Sequence, residues 1–292
     1  MRHSMTRSGR TRLLFLWLLG ALGLVLSGCA SETSEGTDER LHVVVTVAPL
    51  AGLVDRVAPE ISRVTVMIPE GSSPVTYEPS LSRVRAASTA DLYVSVGHPA
   101  FAWESTWLAD LVGGGGASII ASADGCDILA DDPHVWLSLP CARIIAERIA
   151  GAVQHARPAA SESVASSLAA LLAGMDSLRG VADSSLAPHR GGSFIVLHPA
   201  WGYLAHEYGL QQMAILDHGS GDAGPAELAA IVTRAGERGL VDVIVQPQFS
   251  VEPARLVASE LGGETVMLDP LARNWAASFG NAIRVLANQV RP

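Results

Sequence analysis

From Leu41 onward, short runs of consecutive apolar residues alternate with longer stretches in which apolar positions recur every three or four residues. In the first half the short runs are His42 to Val47, Val64 to Ile68, Leu92 to Val96 and Ser118 to Ala121. In the second they are Phe194 to Leu197, Gln212 to Ile215, Val241 to Val245 and Thr265 to Leu268. Continuously apolar runs of this length suit strands covered on both faces, and strands alternating with helices predict parallel sheets. Helices are predicted at Leu50 to Val57, Leu81 to Ser88, Ala102 to Leu111 and finally Leu271 to Val290.

The middle of the chain reads differently. Ser138 to Arg157 is one amphipathic helix closed by Arg157-Pro158, and Ser161 to Leu186 is a second. At the α-helical rise the second spans roughly 39 Å, the size of a whole lobe. The fold class is therefore α/β, with two Rossmann-like lobes of parallel sheet at 41–157 and 188–292, joined by one long backbone helix at 158–187. A helical link of this length resists large hinge motion.

The first forty residues do not belong to that pattern. Arg2, Arg7, Arg10 and Arg12 precede an apolar run from Leu13 to Leu26. The run is shorter than the roughly 20 residues a spanning helix needs and reads as a signal-peptide core. It ends in Leu26-Ser27-Gly28-Cys29, the pattern of a bacterial lipobox, so residues 1–28 are expected to be removed and Cys29 lipidated. Residues 29–40 form a polar, flexible tether. The expected location is extracytoplasmic, on a lipid anchor.

Composition changes the picture in two ways. With 49% hydrophobic and 17% charged residues the chain is globular. Its net charge is −9, every basic residue is Arg, and removing residues 1–28 takes away four Arg and no acid, leaving −13. Such a surface disfavours nucleic acid and anionic membranes as partners. Beyond Cys29 the only thiols are Cys126 and Cys141, expected to pair as a disulfide in an oxidising compartment. Metal thiolates beside His134 are the alternative.

Ligands of open α/β sheets bind beyond the carboxyl ends of strands. His98 follows the run ending at Val96, His198 follows Leu197, and Asp269 follows Leu268. Asp217, His218, Gln246 and Gln248 lie just past other strand ends. Imidazoles and a carboxylate issuing from both halves suit a zinc-like divalent metal. His134, in Asp132-Pro133-His134-Val135-Trp136-Leu137, lies just before a helix. There Asp131 and Asp132 read as charge complements to the helix start. Trp136, Trp201, Tyr203 and Trp275 read as core and lobe-interface packing.

At Asp132 to Leu137 the sequence resembles the metal-binding solute-binding proteins of bacterial ABC importers, the zinc and manganese type with the TroA-like fold. Four other blocks agree: Pro74-Val75-Thr76-Tyr77-Glu78-Pro79-Ser80, His198-Pro199-Ala200-Trp201-Gly202-Tyr203, Gln246-Pro247-Gln248-Phe249-Ser250 and Leu268-Asp269-Pro270-Leu271. The resemblance covers about residues 42–289. It implies one metal in a cleft between the lobes, with His134, His198 and Asp269 as three of four ligands. The first ligand is His in the family and Val75 here, and valine cannot bind a metal. His98 is the expected substitute, restoring a His3-Asp shell, with His218, Asp217 and Glu104 next. Glu78 is expected to be a hydrogen-bonding partner.

Three imidazoles and one carboxylate favour Zn2+ over Mn2+. The resemblance implies a monomeric binding protein, without catalysis, that delivers zinc to a membrane permease with its cytoplasmic ATPase. A binder of a metal chelate or small organic ligand on the same fold is the alternative. A zinc hydrolase would use the open position for water, but no His-Glu-x-x-His helix, general base or nucleophile motif occurs.

Overall fold

A computed structural model describes residues 39–113, 115–217 and 223–292. The expected signal peptide, Cys29, most of the tether and His218 lie outside these residues. Among the described residues no helix is long and apolar enough to cross a membrane.

The first half builds a four-stranded parallel sheet from β1 (Leu41–Val47), β2 (Ser62–Ile68), β3 (Leu92–Ser95) and β4 (Ser118–Ala121). The second builds another from β5 (Ser193–Val196), β6 (Gln211–Ala214), β7 (Val243–Val245) and β8 (Thr265–Met267). The strand orders are β2-β1-β3-β4 and β6-β5-β7-β8, so both halves share one topology. In each, the order reverses beside the first strand of the half, which places a ligand crevice at the strand ends there.

Helices α1 (Ala48–Val57), α2 (Leu81–Ser88) and α3 (Ala102–Val112) connect the first sheet. Helices α6 (Gly202–Tyr208), α7 (Pro225–Glu237) and α8 (Glu252–Leu261) serve the second. Between them run α4 (Leu139–Ala156) and α5 (Ser161–Leu186), and α9 (Trp275–Gln289) ends the chain. Ser138 caps α4 by accepting a hydrogen bond from the Cys141 N–H, and Asn274 caps α9 by accepting one from Ala277. The long helix α5 buries one narrow stripe, Val164, Leu171, Met175, Ala182 and Leu186, against α4, α9 and α1. Each fully buried aliphatic side chain there contributes about 1.5–3 kcal/mol. The last helix thus returns to pack on helices of the first half, fastening the two halves along one helical layer.

Strand β5 shows how the core is divided. Phe194 and Val196 join the larger core that contains the first sheet and the backbone helices, whereas Ile195 joins a second core with Val243, Ile231 and Val257. Alternate side chains of one strand therefore serve opposite faces, as the pleat dictates.

Cys126 and Cys141 are free thiols rather than the expected disulfide. They nevertheless interact: side-chain hydrogen bonding between them pushes the Cys126 thiol up and pulls the Cys141 thiol down. Oxidation of this pair would close the loop 127–140, and in the chain-entropy model a loop of that size gains ~3 kcal/mol. Mild oxidation is expected to remove both titratable thiols and raise stability to denaturant by about that amount. Thiol titration alongside denaturation checks it, and two thiols that persist after oxidation would contradict it.

Candidate metal centre

A cleft of about 520 Å3 lies between the two sheets, and His134 and His198 both line it. Their rings meet edge to face with centroids 5.4 Å apart. His198 is carried by the end of β5. Its backbone is held at both groups by the buried side chain of Gln246, which accepts from the His198 N–H at 3.3 Å and donates to the His198 carbonyl at 2.7 Å. Its ring stacks on Phe249 at 4.6 Å.

His134 comes from the loop after β4, just before a turn of 3-10 helix at Val135–Leu137. Asp132 orients it. Asp132 Oδ1 accepts from the His134 backbone N–H at 2.9 Å and lies 2.7 Å from Nδ1 of the ring. A carboxylate on Nδ1 is the usual arrangement for a histidine that ligates a metal through Nε2. Asp132 is buried, and its Oδ2 sits against Gly202 so closely that a Cβ there would lie 2.2 Å from it. Gly202 therefore holds room for the carboxylate that orients His134. Asp132→Asn is expected to weaken zinc binding roughly 10–100-fold. Gly202→Ala should act in the same direction, and competition with a chromophoric chelator measures both.

The loop carrying His134 is fastened to the second half. Tyr203 Oη donates to the Asp132 carbonyl and accepts from the Leu129 N–H, both at 3.1 Å. Trp136 Nε1 donates to the Pro270 carbonyl at 2.8 Å, and Trp275 Nε1 donates to the Trp136 carbonyl at 2.7 Å. A further tie between the halves is Arg273, which forms a two-pronged ion pair with Asp55, at 2.8 and 3.0 Å, and whose backbone N–H bonds Glu70. The expectation that Trp136, Tyr203 and Trp275 pack between the lobes agrees with these contacts.

Asp269, just past β8, is committed to its neighbours: its Oδ1 accepts from Gln248 Nε2 at 2.7 Å and from the Leu271 N–H at 2.9 Å. His98 is a correction to the sequence reading. It follows β3 as expected, but Nε2 bonds the Leu129 carbonyl at 3.0 Å and Nδ1 accepts from the Ala100 N–H at 3.1 Å. Both ring nitrogens serve the backbone and the residue does not line the cleft, so it offers no lone pair to a metal there. Glu104 is likewise structural. It accepts from the Val96 and Gly97 N–H groups at 2.7 Å and from the Thr46 hydroxyl, while burial raises its pKa. The turn it braces needs glycine at position 97, where φ is +69° and a Cβ would meet Ala121.

Asp217, Val75 and Glu78 are exposed, and the last two line the cleft. Among the described residues, no three His, Cys, Asp or Glu side chains are grouped closely enough to hold a metal ion. The pair brought together is thus His134 and His198, and Asp269 is linked to the cleft through Gln248. Two residues carry more than their sequence positions suggested. Asp132 is a histidine orienter rather than a helix-charge complement, a role that its spacing two residues before His134 could have signalled. Gln248 is the polar side chain between the cleft and Asp269.

Two parallel-sheet lobes on a layer of helices, with one imidazole reaching into the cleft from each, define a two-lobed solute-binding protein. The chain belongs to the family described as zinc-uptake complex component A, periplasmic, which it matches over residues 43–290. It is 26% identical to the high-affinity zinc uptake system protein ZnuA of Bacillus subtilis over 88% of each chain. It is 28% identical to the zinc-binding lipoprotein AdcA of Streptococcus pneumoniae, covering 88% of this chain but only 54% of AdcA. A crystal structure of ZnuA aligns with a TM-score of 0.80 at 30% identity, covering 86% of this chain and 99% of that one. A ZnuA deletion mutant with zinc bound aligns at 0.77 and 29% identity, covering 86% and 98%.

Proposed function

We propose that this protein captures Zn2+ outside the cytoplasm and hands it to an ABC permease driven by a cytoplasmic ATPase, acting as a carrier and not as an enzyme. The observation that carries the reading is the facing pair His134 and His198, one from each lobe, with the first oriented by Asp132. Paired imidazoles select zinc over manganese, which prefers oxygen donors. Asp269, tied to Gln248 and the Leu271 N–H, becomes a third donor once it turns from these toward the metal. Family membership and the relatives' names support the same cargo. The lipobox at Cys29 and the name of AdcA support a lipid anchor, and the protein works as a monomer on that anchor.

Chelator-stripped protein, dialysed against zinc or manganese, is expected to retain one zinc per chain and to prefer it strongly. Retention of neither metal would overturn the reading. Imidazole binds a metal only when neutral, so protons compete with zinc. Affinity should fall steeply between about pH 8 and about pH 5. A zinc affinity constant across that range, measured by competition, would exclude a histidine site.

A further inference from the structure

We propose that Arg273 is a positioning residue for zinc retention: it ties together two stretches of chain that line the cleft, one from each half, and so slows the escape of bound metal. The proposal rests on the zinc-binding function proposed above and extends it to a residue that is not itself among those lining the cleft. Three observations carry it.

The first is the place of Arg273 in the chain. It lies three residues after Pro270 and two after Leu271, both of which line the cleft, and four after Asp269. Its backbone N–H bonds the Glu70 carboxylate at 2.8 Å. Glu70 opens the stretch after β2 in which Val75, Tyr77 and Glu78 line the same cleft. Arg273 therefore joins the stretch after β8 to the stretch after β2.

The second is how fully the first half engages this one residue. The guanidinium holds Asp55 of α1 through two bonds, from Nε to Oδ2 at 2.8 Å and from Nη2 to Oδ1 at 3.0 Å, a forked grip that lysine cannot reproduce. The Arg273 carbonyl presses on α1 at Gly52, where a Cβ would lie 1.9 Å from its oxygen. Backbone N–H, side chain and carbonyl thus all meet the first half.

The third is exposure. The side chains of Arg273 and Asp55 are each 41% exposed, and a groove of about 420 Å3 opens beside them. An ion pair so open to solvent adds little to folding stability. Pro270 and Trp275 have their own ties to Trp136, so the fold does not depend on the pair. What the pair sets is the spacing of the two stretches, and with it the rate at which a metal leaves.

In the test, zinc-loaded full chain is mixed with excess chromophoric chelator and the release rate recorded, beside a urea unfolding curve of each metal-free variant. Arg273→Gln is expected to release zinc about fivefold faster, with its unfolding midpoint unchanged. Arg273→Lys keeps the charge without the fork and should fall between Arg273→Gln and wild type. Asp55→Asn should match Arg273→Gln, and the double variant should release zinc no faster than either single one, because all three lose the same contact. Release at the wild-type rate in Arg273→Gln, release that quickens only as the unfolding midpoint falls, or single effects that add in the double variant would overturn the proposal and leave the zinc reading standing. A wild-type chain that retains no zinc would overturn both.

Discussion

Replacing either His134 or His198 with alanine is expected to weaken zinc binding on the order of 10²–10³-fold while leaving the fold intact. Structural zinc sites release about 10–16 kcal/mol over four ligands, so one ligand accounts for roughly a quarter of that. The two histidines are supported differently, and the variants should differ accordingly. Removing the His134 ring leaves Asp132 buried with Oδ1 still held by the backbone N–H of residue 134. Removing the His198 ring takes away the stacking partner of Phe249 but leaves the Gln246 clamp on the backbone. Metal content after dialysis, with circular dichroism to confirm folding, checks both. An alanine variant that keeps zinc at wild-type affinity would remove that residue from the site.

The largest effect on stability is expected from Trp136→Ala, at about 3–5 kcal/mol. Trp136 is among the largest fully buried side chains and lies at the junction of the two lobes. Its indole N–H bonds the Pro270 carbonyl, and its own carbonyl receives the Trp275 N–H. Alanine would open a cavity, strand the Pro270 carbonyl and loosen the loop next to His134. A loss of that size is a large share of the about 5–15 kcal/mol that holds a typical domain together. Trp136→Phe separates the causes, since it keeps most of the packing and removes only the N–H, for an expected cost of about 1 kcal/mol. Urea denaturation of both variants measures the difference, and equal costs would show that packing contributes little.

The elements most legible in the sequence are those governed by local pattern. Strand β4 and helix α5 have the bounds their apolar periodicity predicts, Ser118–Ala121 and Ser161–Leu186. Where tertiary contacts intervene, pattern fails. The last helix was expected from Leu271 but begins at Trp275, because Leu271 bonds Asp269, Arg273 reaches across to Asp55 and Glu70, and Asn274 supplies the cap. Strand β7 begins at Val243 rather than Val241, since Asp242 turns its carboxylate to the Glu264 N–H.

The site divides along the same line. His198 and His134 were legible from strand position and motif, and the structure brings them together. His98 had equal standing on strand position, but nothing in the order of residues reveals that the Leu129 carbonyl and the Ala100 N–H occupy both of its nitrogens. Leu129 is distant in sequence, and its loop is fastened there by Tyr203. The tie between Gln248 and Asp269 is equally a product of tertiary placement.

The central claim is that one zinc sits between His134 and His198. Crystals of the zinc-loaded protein, with anomalous differences recorded on both sides of the zinc absorption edge, locate the metal directly. The account predicts one strong peak within the usual zinc–nitrogen distance, about 2.0–2.1 Å, of both imidazoles. A peak elsewhere, or zinc held by only one of the two rings, would contradict it.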